Sequence, residues 1–451
     1  MFRSSLACAL SLSLALPAIA QTSGPGSNPG NGGQITILPG PATPPRHVPG
    51  AATLVALQGV VYDLNSGITY NSYTQCGTGP ITNAVAFALR IAQPGDVIVV
   101  VGTHPGITFV DIANPCRQNE VGWANGAVVR DVDVVGYGPQ AAIEGITVFG
   151  DYTQPGGGGV DRVTFQNLRI RNEPAAFAPI LTSQSGRNGL IRVYDCEIEP
   201  VDPAAWNGRG MKWGIRGYLT SWDVRNTTFT SAEEHNIYID SPGFDGAYSP
   251  SFIFQGNESL DFTGRTGIQI VNRIQPFSGY TGAPGLGTIL IRGNTLRADA
   301  QYGGGGSVIT VAGHHGDVWV ENNTVIANSP NCGGSVDEGG LVAWAPFGSW
   351  LLPSGHATKA LYIQGNTFTG TGCRPNIAAS GCKKVWIGTN TFQLNGHGVD
   401  FDNNNGGGIF NGQEFLPPST MSGWQQGGCK ARDNLGAGSV CLTDAQIDAN
   451  Y

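Results

Sequence analysis

Residues 289–296 read Ile-Leu-Ile-Arg-Gly-Asn-Thr-Leu, and residues 318–325 read Val-Trp-Val-Glu-Asn-Asn-Thr-Val. In both segments a short apolar run is followed by an asparagine and, two positions later, by one more apolar residue. Residues 361–368 and 385–392 repeat the pattern. Such a recurring unit indicates a repeat architecture rather than an ordinary globular core.

The position that these asparagines occupy, which we call the ladder position, recurs eight times along the chain. Its occupants are Leu168, Cys196, Thr227, Asn257, Asn294, Asn323, Asn366 and Asn390. Successive ladder positions are 28, 31, 30, 37, 29, 43 and 24 residues apart. A constant unit with variable spacing is typical of a solenoid whose loops differ in length.

Apolar residues alternate within each copy, which is the period of a β-strand, and β-branched residues and aromatics are frequent. Each interval has room for two further short strands, such as residues 267–271. The sequence therefore predicts an all-β, single-stranded parallel β-helix with three strands per coil and stacked inward asparagines. An antiparallel sandwich is the alternative, but it needs turn signals every 8 to 12 residues.

The composition agrees with many tight turns, since 68 residues are glycine and only 12% are charged. A net charge of −8 and a pI near 5.3 argue against nucleic acid as a partner.

The ends of the chain have compositions of their own. Residues 1–20 combine Arg3, an apolar stretch and small residues before Gln21, which predicts a signal peptide and a secreted protein. That stretch is too short to span a membrane, and no membrane association is expected. Residues 21–50 are predicted to be a Gly- and Pro-rich linker.

The β-helix domain is predicted over residues 51–405. An amphipathic helix over residues 80–93, followed by a strand over residues 97–101, is expected to cap its N-terminal end. Residues 406–451 lose the repeat and are predicted to form a C-terminal cap tied by a disulfide bond.

Eight cysteines are left after the signal peptide, an even number that suits an oxidising compartment. Proximity favours two pairs, Cys373–Cys382 and Cys429–Cys441, and a bridge between Cys76 and Cys116 would tie the first coil to its cap. Cys196 occupies a ladder position, so a buried free thiol and a bridge to Cys332 are both open.

These repeats, with the predicted helix and the following segment Pro94-Gly95-Asp96-Val97-Ile98-Val99, resemble the pectate-lyase-like superfamily of right-handed parallel β-helix proteins. The resemblance covers about residues 55–405 and implies a right-handed helix that acts on or binds acidic polysaccharides. Motifs of individual subfamilies are incomplete here, because Gly396-His397-Gly398 lacks the Asp-Asp and Arg-Ile-Lys runs of polygalacturonase-type hydrolases.

Register predicts which residues share the outer surface of the sheet that precedes the ladder position. Residues 237–239, 268–270 and 309–311 align, with Tyr238, Gln269 and Thr310 pointing outward. Charged and aromatic residues flank these strands on neighbouring coils, about 4.8 Å apart. They are Lys212, Trp213, Arg216, Glu233, Glu234, His235, Asp240, Arg265, Arg273, His314, Trp344 and Trp350.

The resemblance implies cleavage of a uronate polymer by β-elimination, and the cluster is assigned roles on that basis. Arg273, His314, Tyr238 and His235 are the candidate catalytic residues. Candidate substrate-binding residues are Lys212, Arg216, Arg265, Gln269, Trp344 and Trp350. Glu233, Glu234 and Asp240 are candidate ligands for a Ca²⁺ ion. A glycoside hydrolase and a non-catalytic sugar-binding solenoid are the alternatives, and the oligomeric state is open.

Overall fold

The computed structural model describes residues 53–410. Within that range it omits residues 71–81, 111–117, 122–127, 130, 150–158, 173–175, 183–187, 219, 241–250, 273–287, 300–306, 314, 329–340, 345–357, 372–376, 380–381, 389, 393–398 and 402–407. The predicted signal peptide and linker, and the predicted cap after Phe410, lie outside the described residues.

Two long strands, β4 (Val97–Phe109) and β7 (Val132–Val148), begin the parallel column. They pair along almost their whole length, and each bends through all three sides of the coil. The N-terminal elements around them are β1 (Thr53–Leu57), β2 (Val60–Asp63), β3 (Thr69–Tyr70), α1 (Ala84–Ile91), β5 (Glu120–Val121), β6 (Val128–Val129) and β8 (Gly159–Val160).

Later coils contain three short strands each, and every strand pairs in parallel with its counterpart on the next coil. We number the resulting sheets 1 to 3 in the order in which the chain crosses them within one coil. Sheet 1 contains β11 (Ile180–Thr182), β14 (Trp213–Tyr218), β17 (His235–Asp240), β20 (Thr266–Asn272), β23 (Ile309–Gly313), β26 (Leu341–Trp344), β29 (Ile377–Ala379) and β32 (Val399–Phe401).

Sheet 2 follows in each coil and contains β9 (Arg162–Gln166), β12 (Leu190–Tyr194), β15 (Ser221–Arg225), β18 (Ser251–Gln255), β21 (Thr288–Arg292), β24 (His315–Glu321), β27 (Thr358–Gln364), β30 (Cys382–Ile387) and β33 (Gly408–Phe410). Sheet 3 completes the coil with β10 (Arg169–Arg171), β13 (Glu197–Glu199), β16 (Thr228–Phe229), β19 (Glu258–Ser259), β22 (Thr295–Ala298), β25 (Thr324–Asn328), β28 (Thr367–Thr371) and β31 (Thr391–Phe392).

The predicted parallel β-helix is therefore confirmed, and the antiparallel sandwich is excluded for the described coils. Alternate residues of each strand point inward and stack into one apolar column, because a single coil cannot bury its own inner surface. Ile237, Ile268 and Ile309 are neighbours in that column. Pairing continues through β33, so the wound region extends past the predicted boundary at residue 405.

The ladder positions lie between sheets 2 and 3, and their five asparagines form a continuous chain of hydrogen bonds. Asn257 Nδ2 donates to Asn294 Oδ1 at 3.0 Å, and the same bond recurs at 2.9 Å from Asn294 to Asn323 and from Asn323 to Asn366. Asn366 donates to Asn390 at 2.9 Å. Each acceptor oxygen also receives a backbone N–H from the preceding coil. Amides that would be costly to bury alone are thus satisfied by their own counterparts.

The ladder positions before Asn257 hold residues other than asparagine. Thr227 Oγ1 donates to Val193 O and Arg225 O, and Cys196 is a free, buried cysteine. Burial raises the pKa of the Cys196 thiol to about 12. Of the two possibilities for Cys196, the structure shows the free thiol. The side chains of the cysteines in the other predicted pairs lie outside the described residues.

Helix α1 covers the N-terminal end of the column. Asn83 caps it by accepting a hydrogen bond from Ala86 N, while its own Nδ2 donates to Gly106 O. Val85, Ala88 and Leu89 pack into the same apolar cluster as the inward residues of β1 and β4. Two features differ from the prediction: β4 continues well past Val101, and β1, β2 and β3 form an antiparallel meander beside it.

The described part of the chain contains no helix with the length and apolarity needed to cross a membrane.

Candidate functional site

The predicted register of sheet 1 is confirmed. Arg216, Tyr238, Gln269 and Thr310 are direct cross-strand neighbours on β14, β17, β20 and β23. They form one outward row, because the isoleucines on either side of them point into the core. The row brings residues that are far apart in sequence onto adjacent coils.

Arg216 is held by aromatic rings. Its Cζ lies 3.4 Å from the ring centroid of Tyr238, 4.5 Å from that of Tyr218 and 5.0 Å from that of Trp213. Its Nε and Nη2 both donate to Tyr218 Oη, the first at 2.8 Å. Among the described residues no carboxylate forms an ion pair with Arg216. The guanidinium is thus fixed in place by cation–π contacts without being neutralised.

Most other cations in the described part of the chain are neutralised in ion pairs. Arg169 pairs with Glu199 at 2.7 Å, Arg225 with Asp223 at 2.6 Å and Arg292 with Glu321 at 2.5 Å. Arg216 differs from these residues, and it lies on the outer surface of an acidic protein.

Lys212 and Glu234 stand beside this cation. Lys212 Nζ lies 3.2 Å from Glu234 Oε1 and 5.0 Å from the Trp213 ring centroid. Glu234 Oε2 accepts a 2.9 Å hydrogen bond from Trp213 Nε1. Glu233 accepts a 2.5 Å hydrogen bond from Asn207 Nδ2. Both glutamates are therefore used to hold neighbouring side chains of the site.

His235 and Asp240 lie beneath the surface, each with only 1% of its area exposed. The His235 ring lies 5.1 Å from the Tyr238 ring, and its Nε2 lies 3.8 Å from Glu234 Oε2. Burial, followed by the charges of Arg265 and Arg216, lowers the pKa of His235 well below its ordinary value. His235 is thus a neutral, buried support for Tyr238, which corrects the expectation that it faces the substrate.

The three candidate calcium ligands do not come together. Nowhere in the described part of the chain do three or more His, Cys, Asp or Glu side chains group as a metal site requires. Glu233 binds Asn207, and Glu234 binds Trp213 and Lys212. Asp240, two residues after Tyr238 on the same strand, is buried. The residues present do not fit a Ca²⁺ ion at this position.

The remaining predicted residues divide into two groups. Gln269 lies in the outward row, and Arg265 directly precedes β20 and acts electrostatically on His235. Trp344 ends β26 in register with Ala312, with only its backbone described. Arg273, His314 and Trp350 lie outside the described residues.

Three aromatic residues of the site were not predicted. Tyr218 follows Arg216 on the same strand, so alternation of β14 could have placed it outward. Phe177 lies in a loop and Trp206 in a one-turn helical segment, and neither position is signalled by a strand period. Their rings are 5.1 Å apart, and the Phe177 ring lies 5.8 Å from that of Trp213.

Comparisons of the chain with protein-family models, with curated proteins and with solved structures yield no match.

Proposed function

We propose that this protein binds an acidic polysaccharide along the outer surface of sheet 1 and cleaves it by β-elimination. The observation that carries the proposal is Arg216, a cation fixed by three aromatic rings with no carboxylate partner among the described residues. Arginine suits a planar carboxylate because it can donate two parallel hydrogen bonds. Aromatic rings around it suit the apolar faces of sugar rings.

The proposed reaction transfers one proton and breaks one C–O bond. Arg216 pairs with the uronate carboxylate, which makes the neighbouring C5 proton more acidic. The Tyr238 phenolate takes that proton, the C4=C5 double bond forms, and the C4–O4 bond breaks. The resulting phenol returns the proton to the departing oxygen, so Tyr238 is regenerated.

Two contacts support Tyr238 in this role. Its ring lies under the Arg216 guanidinium, with Arg216 Cζ 3.4 Å from the ring centroid, so the proton acceptor and the carboxylate-binding group are adjacent. The neutral His235 ring also contacts it, with the two ring centroids 5.1 Å apart. His235 therefore acts in the proposal as a positioning residue.

A two-carboxylate hydrolase receives less support from the same contacts. Glu234 already accepts from Trp213 and pairs with Lys212, and Asp240 is buried. Neither carboxylate is left to protonate a glycosidic oxygen or to activate a water, which are the two roles that mechanism needs.

The test is an ultraviolet scan for unsaturated uronate products with the full chain on alginate, pectate and glycosaminoglycan panels. Wild type should produce the absorbance, and Arg216→Ala and Tyr238→Phe should each lower the rate at least about 100-fold. Arg169→Ala, which removes a paired arginine from sheet 3, is the matched control and should keep full activity. New reducing ends without absorbance would identify a hydrolase, and binding without any product would identify a sugar-binding module.

A further inference from the structure

A second group of aromatic residues lies beside Arg216, where the chain passes through an unusual turn. Helix α2 (Ala205–Gly208) contains Trp206 at φ 48°, ψ 59° and Asn207 at φ 57°, ψ 33°. This is the left-handed region, which a bulky side chain rarely adopts because its Cβ crowds the backbone. Two successive residues other than glycine in this region make the turn strained, and such strain persists only where the surroundings impose it.

Side chains on both sides clamp the turn. Asn207 Nδ2 donates to Glu233 Oε1 at 2.5 Å on the neighbouring coil. Arg209 Nη2 donates to both carboxylate oxygens of Asp299 at 3.1 Å, and its Nη1 donates to Phe262 O. The turn is therefore anchored to coils ahead of it by residues far along the chain.

Trp206, the tryptophan in the strained turn, does not belong to the apolar core. Trp206 is partly exposed and lies outside the apolar column, in contrast to Trp222, which is fully buried within it. Its ring contacts Phe177, which is 50% exposed, and Lys212 Nζ lies 5.9 Å from its centroid. The clamp thus holds a large aromatic ring at the surface rather than in the interior.

Phe177, Trp206 and Trp213 are positioned as one unit. The Phe177 carbonyl accepts hydrogen bonds from Lys212 N and Trp213 N, both at 3.0 Å, which ties the Phe177 loop to the start of β14. Phe177 stands between the two indoles, at 5.1 Å from Trp206 and 5.8 Å from Trp213, with both ring pairs tilted by about 40°. We call Phe177, Trp206, Trp213 and Lys212 the aromatic shelf.

The shelf is continuous with the Arg216 site. Lys212 Nζ and Arg216 Cζ each lie 5.0 Å from the Trp213 centroid, so the two cations are no farther apart than twice that distance. We infer that the aromatic shelf is a further subsite, in which a second uronate unit of the same chain stacks on Trp206 and Phe177. Its carboxylate meets Lys212, whose ammonium group has three N–H donors and therefore can serve this carboxylate together with Glu234. This inference rests on the proposed function, because it assumes that the ligand is an acidic polysaccharide.

The test measures by calorimetry how tightly each variant binds oligosaccharides of defined length from polygalacturonate, alginate and hyaluronan. The melting temperature of each variant is measured alongside. Trp206→Gly is the informative variant, because glycine adopts the left-handed turn without strain while the stacking ring is lost. It should bind the preferred oligosaccharide about tenfold more weakly and melt no lower than wild type. Phe177→Ala should weaken binding similarly, and Tyr137→Ala, which removes an exposed aromatic at the end of sheet 2 in β7, should change nothing.

Oligosaccharide length adds a second criterion. The difference between wild type and Trp206→Gly should disappear for the shortest oligosaccharides, which reach only Arg216. Equal affinity of Trp206→Gly and wild type at every length would overturn the subsite, as would a lower melting temperature or the absence of any saccharide binding by wild type. If Trp206→Gly binds like wild type while Arg216→Ala does not bind, the subsite fails and the proposed function stands. If the tenfold effect appears but no unsaturated product ever forms, the subsite stands and the lyase activity fails.

Discussion

Replacing Asn323 by alanine tests how strongly the ladder holds neighbouring coils together. The side chain makes four hydrogen bonds: Nδ2 donates to Ile291 O and Asn366 Oδ1 at 2.9 Å, and Oδ1 accepts from Asn294 N at 3.0 Å and from Asn294 Nδ2 at 2.9 Å. Asn294 Nδ2 keeps its bond to Phe254 O, but the buried Asn294 N–H loses its partner. One orphaned donor at about 1–3 kcal/mol, plus three lost bonds at roughly 1 kcal/mol each, predicts a loss of about 4–6 kcal/mol.

The loss is measured by urea denaturation followed by circular dichroism, with unfolding and refolding curves required to coincide. Asn322→Gly is the matched control. Asn322 is the neighbouring asparagine, exposed and at φ 54°, a conformation that glycine adopts readily. We expect this control to change the free energy of unfolding by less than about 1 kcal/mol. A cost for Asn323→Ala that is no larger than that of the control would refute the ladder as a source of stability.

Three further predictions concern individual residues. Arg273→Ala should abolish turnover and leave the melting temperature nearly unchanged, as expected of an arginine that pairs with a uronate carboxylate, and a large drop in melting temperature would instead show that Arg273 is structural. Cys196 should resist iodoacetamide in the native protein, because the thiol is buried and its pKa is raised to about 12, and should react once urea unfolds the chain. His235 has a pKa lowered well below its ordinary value in the folded state, so the unfolded state takes up the proton first as pH falls. Stability should therefore decline as pH drops below about 6.5, and His235→Gln should show a smaller decline in urea midpoint between pH 7 and pH 5.

The coils were predictable because their inward residues repeat. Alternation around Ile268 and Ile309, together with a recurring asparagine, was enough to predict parallel strands, their number per coil and the outward row that contains Tyr238. The period of two determines which side of a sheet a residue faces, and the stacking of coils then brings distant residues together. The antiparallel meander of β1 to β3 was not predicted, because no repeat precedes it.

The sequence did not predict how deeply each site residue is buried or which side chains it contacts. His235 stands at the first position of β17, where the chain turns a corner, and alternation does not say whether a corner residue is covered. Trp206 was missed for a different reason: its left-handed turn is anchored through Arg209, which binds Asp299 90 residues farther along the chain. A turn imposed by tertiary contacts leaves no local signal, since glycine is the residue that such a conformation ordinarily selects.

The asparagine ladder also makes the geometry of the column independent of the length of its loops. The same bond of 2.9–3.0 Å joins asparagines that are 24, 29, 37 and 43 residues apart, so its geometry is insensitive to how much chain is inserted between two rungs. Insertions beside sheet 1 can therefore lengthen, shorten or be exchanged without any change in the rung that follows them. A protein built in this way can acquire a new ligand by altering one interval, while the column that presents it is inherited unchanged.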